Sequence, residues 1–235
     1  MILFDKKDKE SNKDYVYRVL KENIMSMELK PGELISEIDL SEKMGISRTP
    51  IREVLTRLKG EHLIEVKPQS GTFVSLIDLG LVEEAKFMRF ALEEKVLKKA
   101  CENFNKECLV ELEKNLYAQQ IIAEMKSGKK EFYKLDNNFH ELFFEGVNMD
   151  RVWKSILSIS THYDRIRILF QIENDKMKSV DQHREMLKII KNKEVDKVKE
   201  VLVNHFNYGI NNWENMIEKD SELYNYIKKD SFIQK

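Results

Sequence analysis

Four side chains able to hold a cation recur on the apolar faces of three helical segments. In FYKLDNNFHELFF, Phe132, Leu135, Phe139 and Phe143 mark a buried stripe, and Asp136 and His140 sit inside it four residues apart. His183 shares the apolar side of its segment with Val180, Leu187 and Ile190, and His205 shares its own with Val198, Val201, Leu202 and Trp213. Any one of these histidines reads as a hydrogen-bonded core residue. The combination reads differently, because an unpaired buried carboxylate is costly, whereas a carboxylate and three imidazoles around a divalent cation neutralise each other. The expected ion is a divalent transition metal, zinc first, with nickel or manganese as alternatives, since imidazole suits several first-row ions.

A second group points to nucleic acid. With Ile51, Val54, Leu55 and Leu58 turned inward, Arg48 and Arg52 project together from the opposite face, one helical turn apart, with Thr49 beside them. A guanidinium can pair two-pronged with guanine, and a hydroxyl at a helix N-terminus suits phosphate. Lys43, Arg57 and Lys59 add charge, and Glu53 is the sole acid between Lys43 and Lys59.

These residues need two kinds of scaffold. Apolar spacing gives a first helix from Tyr15 to Met25 and a second through Ile38 to Met44. Gly45 then breaks the chain, and a third helix starts at an N-cap, Ser47, with Pro50 in its first turn. After Gly60 the period falls toward two, and Leu63–Val66 and Thr72–Ser75 form a hairpin around a Pro/Gly turn. Three helices and a hairpin describe a winged helix-turn-helix, whose third helix enters the major groove. Six amphipathic segments follow, at 81–103, 106–126, 130–146, 149–171, 177–192 and 195–219. The fold class expected is mainly α: the winged helix-turn-helix (1–75), a linker (76–80) and an all-α six-helix antiparallel bundle (81–220). Residues 1 to about 13 read as a loose arm and 221–235 as a frayed tail.

Composition supports this division. The chain has 235 residues, with 40 Lys+Arg against 41 Asp+Glu, so DNA binding must come from a local basic face. Eight Gly and three Pro disfavour a β-barrel, a collagen-like chain or a glycine-rich dinucleotide enzyme. The start MILFDKKDKE offers no apolar leader, and no long uncharged apolar stretch occurs, so a cytoplasmic location is expected. Cys101 and Cys108, the only cysteines, read as reduced thiols, and His162 as a helix-edge residue.

The stretch LSEKMGISRTPIREVLTRLKGEHLIEVKPQSGTFV resembles, nearly residue for residue, the signature of GntR-family bacterial transcription regulators. The resemblance implies DNA contacts from Arg48, Thr49 and Arg52 and from Gly71 at the wing tip. It departs at His62, where glycine is usual, and at Gln69-Ser70, where an arginine is frequent. The later segments resemble the FCD domain of the FadR subfamily, whose metal-binding members match at Asp136, His140, His183 and His205; six helices suggest the VanR-like group. The same likeness implies effector contacts from Arg89 and, more weakly, Arg165 and Arg167, while Gln182 stands where a glutamate is common. It implies a homodimeric repressor bound to a palindromic operator and controlled by a small carboxylate metabolite. A metal-sensing regulator is the alternative, and a metal-dependent hydrolase a distant one, so no enzyme is expected.

Overall fold

The computed structural model describes residues 1–125, 128–170, 175–210 and 222–229. They form two compact units, one from Met1–Val82, Ile159–Arg165 and the described part of Glu218–Lys235, the other from Glu83–Ser158 and Ile166–Ile217.

In the first unit α1 (Asn12–Met25) is capped by the Ser11 hydroxyl and α2 (Glu37–Met44) by that of Ser36. Gly45, at φ 64°, ends α2 in the left-handed conformation that glycine adopts without strain. Ser47 occupies the N-cap position of α3 (Arg48–Gly60), but its side chain makes no capping bond. The hairpin comprises β2 (Ile64–Lys67) and β3 (Gly71–Val74). A short strand that sequence did not show, β1 (Leu34–Ile35), pairs antiparallel with the other side of β3. Two residues are too few for a periodicity. Gly71 is required here on two counts: its φ is 124°, and a Cβ would lie 2.9 Å from the Leu34 side chain. Val16, Val19, Leu20, Ile24, Ile51, Val54, Leu58 and Leu63 fill the core.

The ends of the chain depart from expectation. The N-terminal arm is fastened, since buried Asn23 accepts from the Ile2 N–H at 2.6 Å and donates to the Ile2 carbonyl at 2.8 Å, while Met1 and Phe4 pack on the core. The C-terminal segment is ordered in part: Glu222–Tyr226 form a 3-10 helix, and buried Ile227 pairs with Ile77 in a parallel bridge. Residues 221 and 230–235 of the expected tail lie outside the described residues.

His162 is buried rather than at a helix edge. Its Nδ1 accepts from the Asp78 N–H (2.9 Å) and its Nε2 meets the His62 carbonyl (2.9 Å). Fully buried Arg165 donates to the Ser75 carbonyl (2.8 Å) and hydroxyl (3.0 Å), and the Thr161 hydroxyl donates to the Glu61 carbonyl (3.1 Å). Burial, with the neighbouring Arg165 charge, pushes the His162 imidazole down to about 3.

Seven helices follow the hairpin among the described residues, where sequence counted six: α4 (Leu79–Glu102), α5 (Lys106–Glu124), α6 (Lys129–Glu145), α7 (Asp150–Ile159), α8 (Thr161–Phe170), α9 (Lys176–Asn192) and α10 (Val198–Ile210). The expected 149–171 segment divides at Ser160, so the count that pointed to a VanR-like group does not hold. Ser155 and Ser158 turn their hydroxyls onto the carbonyls of Arg151 and Ser155, and the Ser160 carbonyl accepts from the Asp164 N–H as the next helix begins. Hydroxyl side chains compete with helix continuation in this way. In the second unit α5 packs on α6 and α9, and α9 on α10, around Phe132, Phe139, Phe143, Phe144 and Trp153. Among the described residues no helix is long and apolar enough to cross a membrane.

Candidate metal centre and nucleic-acid interface

On α3 the inward face is buried, while Arg48, Thr49 and Arg52 are exposed, as the apolar stripe requires. Arg52 donates its Nε–H to Glu37 on α2 at 2.7 Å, an exposed pair of the kind that contributes little and exchanges readily. Lys43 and Lys59 are exposed too, but Arg57 is held over the Tyr17 ring at 3.5 Å and bonded to Glu61 at 3.2 Å. Exposed Gly71 opens β3 beside the hairpin turn. The unit therefore presents two exposed cationic side chains, Arg48 and Arg52, from the first turns of one helix, the second in a surface ion pair.

In the second unit three imidazoles converge. The rings of His140 (α6), His183 (α9) and His205 (α10) lie 5.0–5.3 Å apart by centroid, and their ligand nitrogens fall within 4.8 Å of one another. His140 and His183 are fully buried and His205 partly so. Trp213, placed on the His205 face by sequence, lies outside the described residues.

The outer nitrogens are all engaged. His140 Nδ1 meets Glu93 Oε2 (2.9 Å), His183 Nδ1 meets Gln119 Oε1 (2.7 Å), and His205 Nδ1 meets Gln182 Oε1 (3.1 Å). Each glutamine has its NH2 committed elsewhere, Gln119 to Asn115 Oδ1 at 2.7 Å and Gln182 to the Asn204 carbonyl at 3.3 Å, so each presents oxygen to its histidine. The three Nδ1 atoms must then carry hydrogen, and the three Nε2 lone pairs are left facing inward. Two of them, on His140 and His183, are buried without any hydrogen-bond partner. Orphaned buried acceptors are rare in folded proteins and call for an explanation. Burial pushes His183 down to about 3 and His205 well below its ordinary value, the neutral state that ligation requires.

Asp136 stands beside this group, with Oδ1 3.6 Å from His183 Nε2 and Oδ2 bonded to Arg167. Burial opposes its ionisation, but the Arg167 guanidinium beside it holds its carboxyl well below the usual carboxylate range. Arg167 also donates to Asn137 (2.7 Å) and lies over the Tyr133 ring at 5.2 Å. The three imidazoles have the donor set and convergence for a transition ion, while Asp136 lies next to them with one oxygen held by Arg167. The fit rests on the two orphaned nitrogens.

The remaining candidates divide. Arg89 is buried beside the cluster, donating to Glu93 Oε1 at 2.6 Å under the Trp153 and Phe206 rings, so its pair with Glu93 is a core feature rather than a surface one. Arg165 sits in the first unit, its donors on Ser75. Cys101 is buried and Cys108 half-buried, both free, and burial pushes the Cys101 thiol up to about 11.

Residues 12–74 match the profile of the bacterial regulatory proteins of the gntR family, and residues 85–208 match the FCD domain. The chain belongs to the GntR family. A relative from Streptomyces ambofaciens, an HTH-type transcriptional regulator in an unstable DNA locus, is 31% identical over 91% of this chain and 90% of its own. The HTH-type transcriptional repressor RspR of Escherichia coli is 29% identical over 81% of this chain and 83% of its own. The solved structure of McbR/YncC from E. coli shares the fold at a TM-score of 0.74 and 21% identity, covering 89% of this chain and 100% of that one. This GntR-family protein is thus a transcription regulator with a DNA-binding helix-turn-helix, and not an enzyme.

Sequence pairs Glu93 with Arg89 as a surface ion pair but gives no sign that it and Gln119, both fully buried, meet the histidines. Arg89 and Glu93 interrupt the stripe Val82, Ala85, Val96 and Ala100 on α4, and Gln119 interrupts Leu112, Leu116 and Ala123 on α5. Polar residues at buried helical spacing were the signal available.

Proposed function

We propose that this regulator binds a palindromic operator as a homodimer in the cytoplasm and represses transcription until a small organic acid binds at a divalent metal in its helical region. Arg48 and Arg52 read bases, Thr49 and Gly71 contact the backbone, and residues 1–75 act as the DNA-reading domain. Asp136, His140, His183 and His205, within the FadR-like effector domain at 81–220, hold the metal, zinc first and nickel or manganese next. The observation that carries this reading is the pair of orphaned, buried Nε2 atoms on His140 and His183.

Charge explains why the effector should be an anion. The carboxylates of Glu93 and Asp136 are matched by the guanidinium groups of Arg89 and Arg167. A divalent cation adds two positive charges to a buried site already balanced, and a carboxylate at an open coordination position offsets them. Arg167, beside Asp136, and Arg89 are the arginines placed to assist; Arg165 is committed to Ser75. The name of RspR as a repressor supports the direction of control.

The test is elemental analysis of the purified full chain, followed by calorimetric titration of small carboxylates with and without an operator selected from random DNA. Bound acid should change operator affinity about 5–150-fold, and operator should change acid affinity by the same factor. A metal that alters DNA binding with no acid effect would make the protein a metal sensor. Protein that takes up no zinc, nickel or manganese would overturn the site.

A further inference from the structure

We propose that Glu93, braced by Arg89, is the positioning residue that fixes His140 for a cation and makes it the strongest of the three imidazole donors; this rests on the metal reading of the histidine cluster. The three outer partners differ in kind. His183 and His205 donate to neutral amide oxygens, those of Gln119 and Gln182, whereas His140 donates to a carboxylate. A hydrogen bond to a carboxylate is charge-assisted and pushes electron density onto the far nitrogen of the ring, which raises its basicity toward a metal.

The bracket works only with a carboxylate. Glu93 is wholly buried and accepts from two donors at once, Arg89 Nε–H on Oε1 and His140 Nδ1–H on Oε2. A glutamine in its place has one oxygen. If that oxygen faces His140, an NH2 meets the Arg89 N–H. If it faces Arg89, the NH2 meets Nδ1, and His140 is driven to the opposite tautomer with hydrogen on Nε2. That form has no lone pair to give the cation. Arg89 is fixed in turn by Glu93 and by the Trp153 and Phe206 rings, 5.4 and 5.9 Å from its guanidinium carbon. Its contribution is to hold the carboxylate still.

The test uses the full chain in three forms: wild type, Glu93→Gln and Gln182→Glu. Zinc affinity is measured by competition with a chromophoric chelator, and the His140 tautomer in metal-free protein by long-range nitrogen–proton NMR. Glu93→Gln should weaken zinc binding about 10–100-fold and move His140 away from the Nδ1–H tautomer. Gln182→Glu, at a half-buried rim position that should leave folding intact, gives His205 a carboxylate of its own and should tighten zinc binding several-fold. Unchanged affinity and tautomer in Glu93→Gln would overturn the proposal, and if that variant does not fold, absence of gain in Gln182→Glu would do so. Wild-type protein that binds no metal would instead sink the metal reading, while its His140 tautomer would still report whether Glu93 sets the ring.

Discussion

On α3 the arginines stand exposed, and the partner of Arg52, Glu37, is one it can leave. In the helical unit Arg89, Glu93, Asp136 and Arg167 are closed in, and each is matched by another of the four. The first arrangement keeps charge solvated until a polyanion replaces water, so it should matter to affinity and little to stability. The second uses buried charge to orient neutral imidazoles, so a missing cation or partner should register in the stability of the fold.

Metal removal should separate the two most strongly. With zinc at about a thousand times its dissociation constant, native-only binding contributes about 4 kcal/mol, seen as a rise in melting temperature that a chelator reverses. His183→Ala should abolish that rise, and Arg52→Ala should leave all of it. If both variants kept the rise, the cation would be held somewhere other than at these histidines.

Arg52→Ala should cost about 1–3 kcal/mol on the selected operator and less on random DNA, with stability changed by under about 0.5 kcal/mol. Fluorescence anisotropy at fixed salt measures the first and thermal unfolding the second. Equal losses on both DNAs would reduce Arg52 to a phosphate contact.

A smaller effect comes from His162, a buried polar group within the first unit. Its folded value near 3 lies below the ordinary 6.5, so the unfolded chain binds more protons between these limits. The stability it contributes is complete above about pH 6.5 and falls as pH drops toward 3, by about 1–2 kcal/mol from pH 7 to 5. Denaturant unfolding of wild type and His162→Gln at the two pH values should show the flatter profile in the variant. Parallel profiles would mean that His162 binds protons equally in the folded and the unfolded chain.

What sequence could disclose follows from the same contrast. Arg48, Arg52, Asp136, His140, His183 and His205 lie in helices whose apolar spacing fixes a face, so their grouping could be read from a list of residues. Glu93 and Gln119 contribute through a hydrogen bond to a residue on another helix, and one-dimensional spacing carries no record of which helices meet. The same holds for His162 and Arg165, whose partners Ser75 and Asp78 are more than eighty residues away. His62 stands where glycine is usual. Its φ of 57° shows the reason for the preference, and its carbonyl receives both the Ser75 hydroxyl (2.6 Å) and His162.

The Asp78–His162 bond and the Ile77–Ile227 bridge bear on the timing of synthesis. A ribosome delivers the N-terminal segment first, and an N-terminal domain ordinarily folds as it emerges. Here the first 82 residues can gather their own apolar core early. The Ser75 carbonyl and the Asp78 N–H, however, wait for Arg165 and His162, and Ile77 waits for Ile227. The part of the molecule made earliest is therefore finished last, and a nascent chain halted before residue 159 should carry a winged helix whose exit segment, residues 75–78, is still open to proteases.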